Sequence, residues 1–404
     1  MPESLHELLG RCAFSLDDVE GFLDGEYATW AKFDADLGYV PSNVVVRDGM
    51  DDSNTTYQYE ATGERRIINS RGRACRINTY GDSFTQCHQV NDGETWQEML
   101  AAHYGEPIRN FGVGGFGVYQ AYLRACRHEV DTATAGEYVL LNIYDDDHVR
   151  NIDSCRWIRL AHFGHTISRH GDMFHGNPWR HVRMNVDSEQ WEEQLNLAPT
   201  PDALRALADR DRFIETFESD PIVRLWAIEQ GAAVDDIEPL ERLGRLAGED
   251  LPLAGDSEQA SKHARAIRMA LALQSTEWVL DQTRSWAADE DRKLIVLLSY
   301  SAAAVKSALR GRPRVDQKLV DYLTFHHVPF VDTLQSHVED FKAFNLTPDE
   351  YVRRLYVGMG HYNPTGNQFF AFAIKPALTS QLNPPPAAYQ TGGDSVTELI
   401  AKLA

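Results

Sequence analysis

The sequence lacks the features that mark several large classes of protein. It has no run of the roughly 18 apolar residues that a helix needs to cross a bilayer. Residues 1–14 show no basic segment followed by an apolar one, so we expect no secretion signal. Cysteine is scarce, with five in 404 residues, and none stands in the C-x-x-C spacing of a zinc site. These absences predict a cytoplasmic protein with reduced thiols.

Positive charge is scarce relative to negative charge. The chain has 39 lysine and arginine residues against 60 aspartate and glutamate residues, a formal net charge of −21. Such a surface repels phosphate backbones and anionic headgroups, so we expect neither a nucleic acid nor a membrane as a partner. The composition, 43% hydrophobic and 25% charged, excludes global disorder. A soluble enzyme or an acidic binding protein remains, and the oligomeric state is left open.

From residue 74 onward, short apolar runs alternate with helical patterns. Continuous apolar runs are typical of strands that are buried on both faces of a parallel sheet. The predicted strands are Cys75–Tyr80, Pro107–Phe111, Tyr138–Tyr144, Leu294–Tyr300 and Val328–Val331. The helical patterns between them, Thr95–Tyr104 and Val118–His128, predict an α/β fold. We expect a doubly wound, flavodoxin-like, three-layer arrangement around a parallel sheet of about five strands, with a large helical insertion.

The chain divides into four predicted parts. These are an N-terminal extension (1–72), an α/β core (73–150 and 291–380), a helical insertion (151–290) and a C-terminal tail (381–404). The clearest helix of the insertion is Ser257–Ala287, with Asp256 as a cap. Because the insertion follows the end of a strand, where α/β sheets bind ligands, it is interpreted either as a lid or as a helical side layer.

Chemically informative residues follow the first two strands and precede the last helix. Gly81-Asp82-Ser83 places a hydroxyl on a tight turn at the carboxyl edge of the sheet, where it can attack a carbonyl if a base removes its proton. The segment 110–117 is rich in glycine, which frees backbone N–H groups for an oxyanion or a phosphate. His361, on a loop before the predicted helix Phe369–Leu378, can serve as the general base.

In this order and spacing, the residues resemble the SGNH, or GDSL-type, hydrolase family. Gly81-Asp82-Ser83 matches the first block of the family, 110–115 the second, and His361 with the following Asn-Pro and Gly the fifth. The stretch 91–96 and the run through Gln120 resemble a branch of carbohydrate acetylesterases and acetyltransferases. The resemblance covers 65–150 and 290–380. It implies Ser83 as nucleophile, His361 as base, and the N–H groups of Ser83 and Gly115 as oxyanion donors.

Two positions depart from the family pattern. The third block places an oxyanion-binding asparagine where this chain has Asp146, and a carboxylate can donate only when protonated; Asn142 and Asn151 are the alternative donors. The family also places an aspartate two or three residues before the histidine, where this chain has Gly358 and Met359. Either a Ser–His dyad operates, or another carboxylate orients the ring. The candidates for that acid are Asp332, Asp349 and Glu350.

Several function hypotheses follow. The first is a serine hydrolase that cleaves a small acyl ester through a covalent acyl-enzyme without metal or cofactor, or an acyltransferase on the same machinery. The second is a non-catalytic binding protein on the same fold, motivated by the two departures. The third is a metal-dependent hydrolase that uses the acidic run Asp145–Asp147 with His148. The adjacent Cys87 and His88 also resemble a Cys–His pair, which we interpret as packing or as a pocket lining.

Overall fold

The computed structural model describes residues 3–25, 29–162, 172–358 and 360–389. The described strands are β1 (Ala31–Asp34), β2 (Gly38–Pro41), β3 (Val44–Arg47), β4 (Asn54–Tyr57), β5 (Ile77–Tyr80), β6 (Arg109–Asn110), β7 (Tyr138–Tyr144), β8 (His181–Asn185), β9 (Gln190–Gln194), β10 (Lys293–Ser299) and β11 (Phe330–Asp332).

The described helices are α1 (Leu5–Cys12), α2 (Leu16–Leu23), α3 (Ser83–Gln86), α4 (Trp96–Tyr104), α5 (Val118–Glu129), α6 (Asp147–Arg150), α7 (Arg156–His162), α8 (Pro201–Ala206), α9 (Arg210–Phe217), α10 (Pro221–Glu229), α11 (Glu238–Leu246), α12 (Ser257–Asp289), α13 (Ala302–Leu309), α14 (Gln317–Phe325), α15 (Thr333–Phe341), α16 (Pro348–Leu355) and α17 (Pro364–Gln381). Short 3-10 segments cover Met50–Asp52, Asp92–Glu94, Asp172–Gly176 and Ala387–Tyr389. The predicted tail from residue 390 onward lies outside the described residues.

Five strands form one parallel sheet, in the order β11-β10-β7-β5-β6. The first strand of this sheet along the chain, β5, therefore lies between the second and the third. Strand β7 occupies the predicted Tyr138–Tyr144, while the other four differ from their predicted bounds at the ends. Six of the seven residues of β7 are buried, which explains why its apolar run is continuous. The predicted α/β fold with a five-stranded parallel sheet is confirmed.

Helix caps set where the helices begin. Thr95 caps α4, and Asp256 caps the 33-residue helix α12, both as predicted. Helix α12 contacts α5, α6, α10 and α14, so it joins the insertion to the core. Helix α17 begins at Pro364 rather than Phe369, because the Asn363 side chain accepts the N–H of Gly366 and proline is well suited to the first helical turn.

The segment 151–290, which the sequence predicts to be helical, also contains strands. The insertion contains the antiparallel hairpin β8–β9 as well as helices α7 to α12. Strand β9 is mostly polar and has no buried residue, so it carried no apolar pattern in the sequence. Residues 163–171 of the insertion lie outside the described part of the chain.

The N-terminal extension and the insertion share a hydrophobic core of their own. Helices α1 and α2 contribute Leu9 and Phe22, the hairpin β1–β2 contributes Tyr39, and the insertion contributes Trp179 and Phe213. This cluster also includes Val113 and Phe116 from the glycine-rich segment after β6. The extension and the insertion therefore pack together against one side of the predicted site. Among the described residues, no helix is both long and apolar enough to cross a membrane.

Candidate active site

The turn after β5 places Ser83 at the carboxyl edge of the sheet. Gly81 has φ 153°, and a Cβ there would lie 2.2 Å from Thr85 Oγ1 and 2.5 Å from the carbonyl oxygen of Asn142. The position therefore requires glycine. Asp82 caps α3 by accepting the N–H of Phe84 at 2.8 Å. Ser83 is thus the first residue of a short helix that follows a buried strand.

The loop before α17 brings His361 to Ser83. His361 Nε2 lies 2.8 Å from Ser83 Oγ, although the two residues are 278 positions apart. Ser83 Oγ also lies 3.2 Å from Asp82 Oδ2. A hydroxyl has one proton to donate, and the shorter contact assigns it to the imidazole. The Phe84 ring packs against both His361 and Tyr362, at 5.4 Å and 5.1 Å between centroids, and supports this loop.

The other ring nitrogen of His361 faces Gln89, a residue that sequence reasoning missed. Gln89 Oε1 lies 3.0 Å from His361 Nδ1 and also accepts the backbone N–H of His361 at 3.1 Å. Gln89 Nε2 donates to the carbonyl of Asp48 at 2.8 Å, and the Gln89 N–H donates to Tyr57 Oη at 2.7 Å. This network assigns the carbonyl oxygen to the imidazole side. It holds the proton on Nδ1 and leaves the Nε2 lone pair for Ser83.

The three carboxylates predicted to orient the histidine lie elsewhere. Asp332 caps α15 and pairs with Arg314. Asp349 forms ion pairs with lysine and arginine side chains of the α13 region. Glu350 closes a capping box at the start of α16. The expectation that one of them orients the ring is therefore corrected, because each is committed to a helix cap or a basic partner. Of the two positions before the histidine, Gly358 has φ 57°, and Met359 lies outside the described residues.

The glycine-rich segment is tied to the Ser83 turn. The N–H of Val113 donates to the carbonyl of Gly81 at 3.0 Å, and Tyr39 Oη donates to the carbonyl of Gly114 at 2.9 Å. Gly115 has φ 86°, a left-handed conformation that favours glycine. In the described part of the chain, the N–H groups of Ser83 and Gly115 donate to no protein acceptor. Neither N–H group is therefore used in a hydrogen bond within that part of the chain.

Asp146 does not supply the expected donor. Its carboxylate lies 2.9 Å from Arg150 and 3.2 Å from Arg159. Burial opposes its ionisation, but the charges of Arg159 and Arg150 hold the pKa of Asp146 well below its usual range. An ionised carboxylate only accepts hydrogen bonds, so the expectation that Asp146 donates to an oxyanion is corrected.

The two alternative donors differ in their surroundings. The amide of Asn151 donates to Ser275 and Thr276 and accepts the N–H of Tyr119, so it is used within the core. Asn142 is buried on β7, and neither of its side-chain polar atoms has a partner among the described residues. Asn151 is therefore removed as a candidate donor.

The residues of the acidic run bind protein partners, and two of them, Asp146 and Asp147, share Arg150. Asp145 accepts from Ser301, Asp147 pairs with Arg150, and His148 Nδ1 meets Thr276 Oγ1 at 2.9 Å. In the residues that the structure describes, no group of three or more histidine, cysteine, aspartate or glutamate side chains is arranged to hold a metal ion. The hypothesis of a metal-dependent hydrolase receives no support from this geometry.

The histidines near Ser83 are neutral over a wide pH range. Burial, with smaller effects from the charges of Arg150 and Arg156, lowers the pKa of His361 to about 3. Burial and the neighbouring His361 also lower the pKa of His88, whose ring lies 5.1 Å from that of His361. A neutral imidazole can accept the Ser83 proton, so His361 is in the form that a general base requires.

Cys87 is not arranged as a nucleophile. Its thiol contacts the carbonyl of Thr85 and the side chain of Gln97, both at 3.3 Å. Burial raises the pKa of this thiol to about 12, so it stays protonated at neutral pH. The interpretation of Cys87 as a packing residue agrees with these contacts.

Comparisons with known proteins give little independent information. No family model matches the chain, and no curated protein matches it either. Among solved structures, it is similar to a member of the lipolytic protein G-D-S-L family from Veillonella parvula, at 13% identity and a TM-score of 0.35. That match covers 76% of this chain and 100% of the other. Similarity this weak carries no argument, so inference about function depends on the site itself.

Proposed function

We propose that this protein is a serine hydrolase of the SGNH type that cleaves a small acyl ester. The observation that carries the proposal is the 2.8 Å contact between Ser83 Oγ and His361 Nε2. It is supported by the Gln89 carbonyl at Nδ1 and by the N–H groups of Ser83 and Gly115, which have no acceptor among the described residues. The strand order, with β5 between β6 and β7, supports the flavodoxin-like, doubly wound arrangement.

The proposed reaction proceeds through an acyl-enzyme. Ser83 Oγ attacks the ester carbonyl carbon while its proton passes to His361 Nε2. The carbonyl oxygen becomes an anion that the N–H groups of Ser83 and Gly115 stabilise. The bond to the alcohol then breaks, and the alcohol oxygen takes the proton from Nε2. Water attacks the acyl-enzyme, gives its proton to Nε2, and the acid leaves as Ser83 regains that proton.

Acyl transfer differs only in the second half of this reaction. If another hydroxyl replaces water at the acyl-enzyme, the same residues move the acyl group to that acceptor. The branch resemblance to carbohydrate acetylesterases and acetyltransferases motivates this alternative. Adding a sugar as acceptor during turnover of p-nitrophenyl acetate distinguishes a hydrolase from a transferase. A transferase yields an acetylated sugar, whereas a hydrolase yields acetate alone.

A fluorophosphonate probe tests the proposed nucleophile. We expect covalent labelling of the wild-type protein and none of Ser83→Ala, because only an activated hydroxyl attacks the phosphorus. Ser188→Ala, on the exposed turn between β8 and β9, is the matched control and should label normally. Mass spectrometry of the intact protein gives the readout. Wild-type protein that takes up no probe, or takes it up equally in Ser83→Ala, would contradict the proposal and favour a non-catalytic binding protein.

A further inference from the structure

Three arginines follow β7 closely, and they differ in their partners. Arg150 and Arg159 each form ion pairs with two or more aspartates. Arg156, the first residue of α7, has no carboxylate at ion-pair distance within the described ranges. Its Nη1 lies 3.2 Å from His175 Nδ1, and its Nε is buried without a hydrogen-bond partner among the described residues. Asp146 lies near enough for its charge to favour protonated Arg156, but none of the described carboxylates pairs with Arg156 directly.

The guanidinium of Arg156 lies against the glycine of the proposed oxyanion site. A Cβ at Gly115 would lie 2.3 Å from Arg156 Nη1 and 2.5 Å from Tyr39 Oη. The missing side chain at Gly115 thus makes room for the guanidinium. The charge of Arg156 also contributes to the lowered pKa values of His361 and His88. The guanidinium of Arg156 therefore lies beside Gly115, and its charge acts on the histidines near Ser83.

Energetics favour an anion beside this arginine. Burial, and next the charge of Arg150, lowers the pKa of Arg156 to about 10, which still leaves it protonated at neutral pH. A buried charge without a counterion costs free energy, and a nearby anion offsets that cost. Attack on an ester creates such an anion at the carbonyl oxygen, and preorganised donors in a site with little water stabilise it strongly.

We propose that Arg156 is a third oxyanion donor, which replaces the asparagine that the resemblance led us to expect at Asp146. The inference rests on the proposed function and extends it to a catalytic residue from the insertion. The guanidinium donates a hydrogen bond to the carbonyl oxygen as negative charge develops there. It remains protonated throughout, so no proton is transferred at this position.

Hydrolysis of p-nitrophenyl acetate tests the role of Arg156. This substrate is neutral, so Arg156 meets no substrate anion before the attack on the carbonyl carbon. Loss of one oxyanion donor typically lowers kcat by about 100-fold or more, and we expect this for Arg156→Gln with KM within about threefold of wild type. Arg156→Lys should lose about tenfold, because it keeps the charge but not the Nη donors. Arg205→Gln, which removes a half-buried arginine of α8, should match wild type.

The opposite results would overturn the inference. Folded Arg156→Gln with a wild-type kcat, or with a raised KM alone, would show that Arg156 does not act on the oxyanion. If Arg156→Gln does not fold, a wild-type kcat in Arg156→Lys overturns the inference equally. Failure of the proposed function gives a different result, because the wild-type protein would then show neither hydrolysis nor labelling at Ser83. Labelling of Ser83 at the same rate in wild type and Arg156→Gln would contradict the proposed role of Arg156 and leave the proposed role of Ser83 intact.

Discussion

At Gln89, a neutral amide occupies the place next to the histidine that a carboxylate holds in a Ser-His-Asp triad. The amide carbonyl can fix the tautomer and the orientation of His361. It carries no full charge, so it does little to stabilise the imidazolium that forms when Ser83 gives up its proton. Gln89 thus retains the role of a triad carboxylate in orienting the ring, but it contributes less to stabilising the charge on the ring.

This difference predicts a pH dependence for Gln89 variants. Neutral His361 is the active base and its pKa is lowered to about 3, so activity should persist as the pH falls below 6. In Gln89→Glu, an adjacent carboxylate favours the imidazolium and raises the pKa of His361, so the acid limb should move to higher pH. Profiles of kcat/KM against pH for p-nitrophenyl acetate measure the acid limb of the wild type and of Gln89→Glu. Gln190→Glu, on the exposed hairpin β8–β9, is the control, and an unmoved acid limb in Gln89→Glu would contradict the assigned contact.

At the scale of elements, His337 on α15 supports the loop that presents His361. Its Nδ1 lies 3.2 Å from the hydroxyl of Tyr351 on α16, and its Nε2 lies 2.9 Å from the hydroxyl of Tyr362. His337 is fully buried, and burial lowers its pKa to about 3. One neutral side chain therefore joins two helices to the residue that follows the proposed base.

Replacing His337 by phenylalanine should affect both stability and rate. Without His337, the buried hydroxyls of Tyr351 and Tyr362 each lose a hydrogen-bond partner. Each loss should lower the free energy of unfolding by about 1–3 kcal/mol. The wild-type histidine also makes stability fall as the pH drops from 6.5 toward 3, because only the unfolded chain takes up its proton there. The variant should lose this share of the pH dependence. Urea unfolding at pH 7 and pH 5 measures this difference, with His326→Phe at a half-buried position as the control. Equal pH slopes in wild type and His337→Phe would refute the argument.

Strands that are buried on both faces were predictable from the sequence, and the exposed hairpin was not. The run that becomes β7 is apolar throughout, so its bounds were found, whereas β9 is polar and exposed and its hairpin was missed. Ser83 and His361 could be paired because their motifs resemble those of the GDSL-type family, although His361 follows a helix, α16, rather than a strand of the sheet. Gln89 and Arg156 could not be found, since their roles depend on a left-handed turn and on the packing of the insertion.

At the scale of the whole molecule, two hydrophobic cores are joined through a few side chains. Leu123 and Val234 are partly buried against both the sheet core and the core shared by the extension and the insertion. The second core contains Tyr39, whose hydroxyl holds the carbonyl of Gly114, and Phe116. The proposed oxyanion site thus lies where the two cores meet, and its geometry depends on both.

Leu9→Ala tests whether the N-terminal extension supports the site. Leu9 is 0% exposed in α1, so truncation should cost about 2–5 kcal/mol, while Leu16→Ala, at a position that is 49% exposed, should change stability little. Because the weakened core holds the Gly114 carbonyl through Tyr39, activity and near-ultraviolet circular dichroism should be lost at the same lowered temperature. Thermal scans of both signals check this. Activity that outlasts the dichroism signal in Leu9→Ala would mean that the sheet core alone maintains the site, and that the extension has another role.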